Sequence, residues 1–396
     1  MSLKEFLNPA GAAHLTQTLA MQGTLARLIR FDEAICQMAN PAGHALKHLL
    51  DMSDSANRFA LSSSPEFHRY MVACEENGHP PADIELPLLL NAARSSGTSE
   101  LEVALSSDIS PCRVLVGEMV LRIATSLKSP ILLIKNERVC LISTDTKFSV
   151  ELAYASSPST QIPRLVDDWP TFRNPFNDGN RSLILDDMQR DQFQGEIACA
   201  VEFLHELAPQ AVEEMSMTAS YLSPIVSRSN NVGIPSFSSS MLPGVIFVGM
   251  LRPDGQMTDW RHLAELIFHE HLHNRLYLLD TLCPLTEINA PYDEIFYSPW
   301  KEVDRPLEGI LHSLYVFSHL AWLWSHAFQT SANESIARFA DARRCEHLLS
   351  LSKVDQASVL VARGLTDAGK AVVHASREAE TLARKEPLHA ARLYSY

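Results

Sequence analysis

DWRHLAELIFHEHLHNRLYLL, residues 259–279, predicts the helix that organises the C-terminal half of the chain. Thr258 or Asp259 is placed to cap its first turn, because a short polar side chain before an apolar run accepts hydrogen bonds from the free N–H groups there. The leucines, isoleucine and phenylalanine recur at helical spacing and form an apolar stripe beside the histidines. We therefore expect an amphipathic helix with one buried side.

This helix carries the pattern HExxH. His269 and His273 lie on one face, about 6 Å apart along the axis, so both can bind one divalent ion. Glu270 lies on the flank of that face, where a zinc hydrolase uses a glutamate as general base on a metal-bound water. His271 points elsewhere and is expected to be a structural or surface histidine. The pattern predicts a metal centre that two histidines alone do not complete.

A third ligand has to come from elsewhere in the chain. The zinc-peptidase pattern with a third histidine six residues after the second needs histidine where the chain has Leu279. A later segment, residues 298–328, offers Glu308, His312, His319 and His326. The three histidines share one face but lie about 10 Å apart along a helix, so only one can reach a given ion. His312 is nearest to the helix start, whereas His319 and His326 lie among aromatic residues and are better explained as buried structural histidines.

The rest of the sequence predicts a helix-rich α+β protein, with mostly antiparallel strands in the middle and the metal site between two helices of the C-terminal half. ILLIKNERVCLIST, residues 131–144, predicts two strands around a turn at 135–138, and residues 149–155 predict a third. Further helices are expected at 192–216, 306–328, 333–351 and 355–383, and strands at 220–226 and 244–251. We expect four consecutive regions: helical 1–110, mixed α/β 111–230, the metal-binding catalytic core 231–330, and C-terminal helices 331–396.

Composition and charge limit the partners. The formal net charge of -14 at pH 7 argues against nucleic acid, whose phosphates need clustered lysine and arginine. The apolar runs are too short to span a bilayer, so no membrane partner is expected. The seven cysteines are scattered without a CxxC pair, and the N-terminus lacks the apolar segment of a signal peptide. These features predict a cytoplasmic protein with reduced thiols.

Two further segments give the chain a family resemblance. SPWKEVDRPLEGILHSLYVF, residues 298–317, resembles the downstream signature of the HExxH motif-containing peptide-modification proteins. These are found with biosynthetic clusters for ribosomally made, post-translationally modified peptides. SFSSSMLPGVIFVGML, residues 236–251, is similar to the segment that precedes the helix in that family. The resemblance covers roughly residues 236–320, and its three blocks in the same order are more specific than HExxH alone.

The resemblance implies an iron(II)- and 2-oxoglutarate-dependent oxygenase that hydroxylates a side chain of a precursor peptide at its β-carbon. His269, His273 and His312 would then hold the iron, and Glu270 would lie behind these ligands or add another. Non-haem iron oxygenases usually combine two histidines with one carboxylate. If a carboxylate is required, Glu308 is the candidate, because it lies one turn before His312 on the same face.

Two basic residues are the candidates for binding 2-oxoglutarate. Arg305 would pair with its distal carboxylate, because a guanidinium matches a carboxylate bidentately. Lys301 takes a position that is more often arginine in the family. A lysine keeps the positive charge but lacks the paired N–H donors with which a guanidinium binds a carboxylate bidentately. Alternatively, Arg305 makes an ordinary surface ion pair with Asp304 or Glu308. Trp300 and Tyr297 are candidates for lining the pocket.

Two other functions remain open at this stage. A zinc-dependent peptidase would use the same ligands, with Glu270 as general base. A non-catalytic scaffold or peptide-binding protein would retain only a structural metal. For a peptide substrate, the strand at 244–251 is a candidate to pair with the extended chain, as sheet edges commonly do.

Overall fold

The computed structural model describes the chain except for residues 1–2, 38–40, 63, 78–81, 99, 107, 110–111, 117–118, 124–125, 136–137, 144–148, 152–153, 156–162, 168–179, 228–232, 292–293 and 386–396. The described part is helix-rich with small sheets, in agreement with the α+β prediction. Residues 156–181 are rich in Pro, Asn, Asp and Ser and are therefore predicted to form a long loop or a domain junction, and most of them lie outside the described residues.

The helices are α1 (Leu3–Phe6), α2 (Ala13–Gln37), α3 (Pro41–Met52), α4 (Ser55–Ser62), α5 (Pro65–Asn77), α6 (Ala82–Ser95), α7 (Asp187–Leu207), α8 (Pro209–Thr218), α9 (Trp260–Leu282), α10 (Leu307–Thr330), α11 (Glu334–Leu351), α12 (Gln356–Leu360) and α13 (Asp367–Arg384). The strands are β1 (Glu100–Ala104), β2 (Cys112–Val116), β3 (Met119–Ile123), β4 (Pro130–Lys135), β5 (Arg138–Ser143), β6 (Ser149–Glu151), β7 (Tyr154–Ala155), β8 (Arg164–Leu165), β9 (Asn180–Ser182), β10 (Tyr221–Ser227), β11 (Ser236–Ser238), β12 (Val245–Gly249), β13 (Ile295–Ser298) and β14 (Val303–Pro306).

Most strand pairs are antiparallel, as predicted. Three sheets have the strand orders β1-β4-β5-β6, β2-β3-β7 and β13-β14. A further sheet has the order β11-β12-β10-β8, and β9 also pairs with β10. In this sheet, β10 runs parallel to β8 and to β12. The predicted hairpin at 131–144 is confirmed, with Lys135 opposite Arg138. The single strand predicted at 149–155 is instead two short strands, because β6 pairs with β5 whereas β7 pairs with β3.

The strand expected to receive a substrate peptide is a central strand. β12 is buried along its whole length and is hydrogen-bonded to β10 on one side and to β11 on the other. Peptide addition needs a strand with an unpaired edge. That expectation was wrong because the serine-rich segment before β12 folds back as β11 and occupies the edge.

The chain divides into two compact units, each assembled from separate segments. One consists of Met1–Leu19, Gly195–Ala219 and Asp259–Tyr396, and the other of Ala20–Gln194 and Ser220–Thr258. The second unit has a core of aliphatic and aromatic side chains from α2 to α6 and the strands β1, β4 and β5. The first unit contains α9, α10 and the hairpin β13–β14, and therefore every candidate site residue.

In the first unit, α10 is the central helix. It packs against α9, α11, α13 and the hairpin β13–β14 and is buried on nearly all sides, as expected of a helix that is apolar all round. The helix α9 begins where the sequence predicts, since the Asp259 carboxylate accepts from the backbone N–H groups of Arg261 and His262. The packing of α9 on α10 brings the HExxH face beside the first turns of α10.

The helix predicted at 355–383 is interrupted. Between α12 and α13, the backbone N–H groups of Arg363 and Gly364 donate to the Glu294 carboxylate, and Thr366 caps α13 through its hydroxyl. A Cβ at Gly364 would lie 2.7 Å from that of Ala290. Contacts with a segment seventy residues away therefore break a local helical pattern. Across the part of the chain that is described, none of the helices has the length and apolar character needed to cross a membrane.

Candidate metal centre

The first pair of candidate ligands comes from α9. The Nε2 atoms of His269 and His273 are 3.2 Å apart, and their ring centroids are 4.9 Å apart. Two nitrogens bound to one ion at about 2.0–2.1 Å are separated by about 2.8–3.4 Å, from the octahedral to the tetrahedral angle. The spacing of these two nitrogens therefore fits a shared divalent ion.

His312 of α10 meets this pair from the other side. Its Nδ1 is 3.0 Å from Nδ1 of His273, and the two rings are stacked with centroids 5.3 Å apart. In the observed ring orientations, His312 contacts Nδ1 of His273, whereas Nε2 of His273 faces His269. Accordingly, within the described ranges, no three His, Cys, Asp or Glu side chains converge on one point. The structure brings the three predicted histidines together, but ligation of one ion by all three requires a change in the orientation of the His273 or His312 ring.

The three imidazoles are held neutral. Burial lowers the pKa of His312 to about 4, with a further contribution from the nearby Arg305. Burial also lowers the pKa of His269 to about 4, opposed by Glu265, and places the pKa of His273 well below its ordinary value. A neutral imidazole keeps a lone pair on one ring nitrogen, which metal binding requires.

Glu270 is buried beside His269. Its side chain is 1% exposed, and Oε1 is 3.8 Å from Nε2 of His269. A carboxylate at this position is close enough to the pair to influence a bound ion. Glu308, the alternative third ligand, is exposed at the start of α10.

Arg305 belongs to β14, opposite Phe296 of β13, and its guanidinium lies against Gly309 in the first turn of α10. A Cβ at Gly309 would be only 3.0 Å from Nε and 3.1 Å from Cζ of Arg305. Glycine thus leaves the space that the guanidinium occupies. The ion pair of Arg305 with Asp304 or Glu308 is not formed: within the described residues, its guanidinium has neither a hydrogen bond nor an ion pair.

Lys301 lies in the turn of the same hairpin. The positive charge of Lys301 lowers the pKa of His269 and His273, whereas that of Arg305 lowers the pKa of His273 and His312. Both cations therefore act on His273, whereas only Lys301 acts on His269 and only Arg305 acts on His312. Like Arg305, Lys301 has no acidic partner in the described part of the chain.

Aromatic rings surround the histidines. Phe317 of α10 lies edge-on to His269 at 5.3 Å and is stacked on Trp300 at 4.4 Å. Tyr277, one turn beyond His273 on α9, packs on His312 at 4.9 Å. Burial raises the pKa of Tyr277 to about 12, so its phenol stays protonated. Tyr297, the other predicted pocket residue, is 48% exposed.

The sequence reasoning missed Tyr277 and Gly309. Both had a signal in the spacing, because Tyr277 continues the i, i+4 series of His269 and His273, and Gly309 lies four residues after Arg305. The remaining histidine of the motif, His271, is structural: it is fully buried, and its Nδ1 is 2.6 Å from the Thr218 hydroxyl.

The back of α9 holds the N-terminal segment through Arg275. This guanidinium is fully buried, donates to the carbonyl oxygens of Phe6 and Asn8, and lies 3.0 Å from the Glu214 carboxylate. Burial raises the pKa of Glu214, and the charge of Arg275 opposes this effect. The pair and the two carbonyl groups form one buried polar network behind the candidate metal ligands.

The back of α10 contributes His319 to the same segment. Its Nε2 is 3.1 Å from the carbonyl oxygen of Leu7 and its Nδ1 is 2.7 Å from that of Tyr315, so it is a buried, hydrogen-bonded histidine as predicted. His326 is partly buried and stacks on Trp322.

A scan against protein-family models and a search of curated proteins both give no match to this chain.

Proposed function

We propose that this protein is an iron(II)- and 2-oxoglutarate-dependent oxygenase that hydroxylates the β-carbon of a side chain in a ribosomally made precursor peptide. The observation that carries the proposal is the pair of cations, Arg305 and Lys301, beside a row of neutral histidines. Cations without acidic partners next to neutral metal ligands suit a small dianion that also binds the metal. 2-Oxoglutarate is such a dianion.

The residues would act as follows. His269, His273 and His312 would hold the iron through neutral nitrogens, which leaves the full charge of the ion to attract the co-substrate. Bound iron supplies the oxidation by dioxygen, which inserts one oxygen atom into a C–H bond and converts 2-oxoglutarate into succinate and carbon dioxide. Arg305 binds the distal carboxylate bidentately through two N–H groups of its guanidinium, and Lys301 adds a second positive charge.

Aromatic residues flank the proposed site. The stack of Trp300 on Phe317 covers the His269 side, and Tyr277 covers the His312 side. Exclusion of water protects a reactive centre from side reactions. The described cysteines Cys74, Cys140, Cys199, Cys283 and Cys345 are free thiols, and we infer that the reaction takes place in the cytoplasm.

A zinc peptidase is the second candidate, and the position of Glu270 beside His269 is the observation that favours it. As a general base, this carboxylate would have to reach a metal-bound water. Its Oε1 lies 3.8 Å from Nε2 of His269, the nitrogen that would hold the ion, so the position of Glu270 is compatible with this role. The peptidase proposal, however, leaves Arg305 without a role.

The test compares the two reactions directly. We expect the protein with ferrous iron, 2-oxoglutarate, oxygen and its precursor peptide to form succinate and to add one oxygen atom to the peptide, detected by mass spectrometry. Arg305→Met should raise the KM for 2-oxoglutarate about 10–100-fold, the loss of one or two charge-assisted hydrogen bonds. Arg338→Met, which removes an exposed arginine of α11, is the control and should change nothing. Peptide cleavage with zinc and no succinate with iron would establish the peptidase instead.

A further inference from the structure

Two buried donors on the hairpin β13–β14 have no acceptor. Ser298 is fully buried at the end of β13, and its Oγ has no hydrogen-bond partner among the residues described. The indole Nε1 of Trp300, two residues later, is also buried and, over the same described residues, unpartnered. A buried polar group without a partner is costly, so two of them on one hairpin indicate a ligand with acceptor oxygens.

The register of the hairpin puts Ser298 on the same face as Arg305. Ser298 pairs with Val303 and Phe296 pairs with Arg305, so Ser298 and Arg305 are diagonal neighbours across the two strands. Their side chains therefore leave the hairpin on the same side, where the guanidinium lies against Gly309 of α10. A carboxylate has about four lone-pair sites, and a guanidinium fork uses two of them. The Ser298 hydroxyl can donate to one of the others.

Trp300 lies toward the other end of the row of histidines. Its ring is stacked on Phe317 with only 7° between the planes, and Phe317 in turn contacts His269. The indole N–H lies in the ring plane, so this stack fixes the plane in which Trp300 donates. Lys301 is the next residue in the turn of the hairpin.

We propose that the hairpin is a binding subsite for a short dicarboxylic acid. Ser298 and Arg305 bind one carboxylate, and Trp300 donates to an oxygen of the other, beside Lys301. The choice of 2-oxoglutarate as this acid rests on the proposed function. The subsite adds Ser298 and Trp300 as binding residues that select a diacid over a monocarboxylic acid.

Calorimetric titration of the protein with Mn(II) and 2-oxoglutarate or succinate tests the subsite without turnover. Ser298→Ala and Trp300→Phe, which retains the stack, should each weaken dicarboxylate binding about tenfold, the equivalent of about 1.4 kcal/mol, and should leave the melting temperature unchanged or higher. Ser376→Ala, at a buried serine of α13 that donates to Val372, is the matched control and should retain full affinity.

The possible outcomes distinguish a failure of the proposed subsite from a failure of the proposed reaction. Equal dicarboxylate affinity in Ser298→Ala, Trp300→Phe and the unaltered protein overturns the subsite, even if succinate is formed with iron. A lower melting temperature of Ser298→Ala with unchanged affinity also overturns it, because the hydroxyl then serves only the fold. If both variants weaken a tight dicarboxylate binding but the protein forms no succinate, the subsite is supported and the proposed oxygenase activity is excluded.

Discussion

Gly309→Ala should separate folding stability from co-substrate binding with a single methyl group. Within the first turn of α10, alanine is favoured over glycine by about 0.5–1 kcal/mol, so the fold should be as stable or slightly more stable. The new Cβ, however, would lie 3.0–3.3 Å from Nε, Cζ and Nη2 of Arg305, against an ordinary contact of about 3.5–4.0 Å. The guanidinium, the mobile end of its side chain, has to move by about 0.5 Å.

This displacement should cost at least one charge-assisted hydrogen bond to the distal carboxylate. Such a bond is worth about 1.5–3 kcal/mol, so the Kd for 2-oxoglutarate should rise about 10–100-fold. Urea unfolding measures the first effect, and calorimetric titration with Mn(II) and 2-oxoglutarate measures the second. Gly195→Ala, in α7 with no atom within 4 Å of the new Cβ, is the matched control and should affect helix stability alone.

A double-mutant cycle assigns the loss to Arg305. If the methyl acts through the guanidinium, Gly309→Ala should have no further effect on affinity in an Arg305→Ala background. The reasoning is refuted if the single variant binds 2-oxoglutarate as tightly as the unaltered protein. It is also refuted if the loss persists in full without Arg305, because the methyl would then act on the ligand or the fold directly.

Three further outcomes are expected. Arg275→Met should destabilise the protein by about 3–5 kcal/mol in urea unfolding, because Glu214 would stay buried without its cation. A change of about 1.4 kcal/mol is tenfold in the unfolding constant, and a loss below about 1 kcal/mol would contradict this prediction. Burial would raise the pKa of Glu265, but His347 and Arg343 hold it well below its ordinary value of 4.5, so its ionised form stabilises the fold above that pH. The cost of Glu265→Gln should therefore be largest at neutral pH and shrink as the pH falls below 4.5, and a pH-independent cost would count against the ion pair. Divalent metal at 100 times its Kd should stabilise the protein by about 2.7 kcal/mol, measured as a rise in melting temperature. His269→Ala should abolish this rise and leave the melting temperature of the metal-free protein nearly unchanged.

Local patterns predicted the elements well where neighbours in sequence determine the structure. The capped start of α9 and the β4–β5 hairpin follow from side chains within a few residues of each other. The same logic failed at 355–383 and at β12. In both places the deciding hydrogen bonds come from distant or folded-back segments, Glu294 in the first case and β11 in the second.

The candidate site divides in the same way. His269 and His273 were predictable as a pair because a helix places residues four apart on one face, whatever the rest of the chain does. His312 could be preferred among the later histidines only for its place near the helix start, and Arg305 was singled out through a family resemblance. Their approach to the pair depends on how α10 packs on α9 and on the absence of a side chain at Gly309.

HExxH by itself determined a pair of histidines on one helix face, because the geometry of an α-helix is fixed by its own backbone hydrogen bonds. Tertiary structure alone decided that His312 faces the far nitrogen of His273 and that the hairpin puts Arg305 and Ser298 on one face. It also decided that residues near the N-terminus are held behind α9 by Arg275. These contacts join segments up to about 270 residues apart, and their energy comes from long-range burial and charge pairing, for which the local sequence carries no spacing rule.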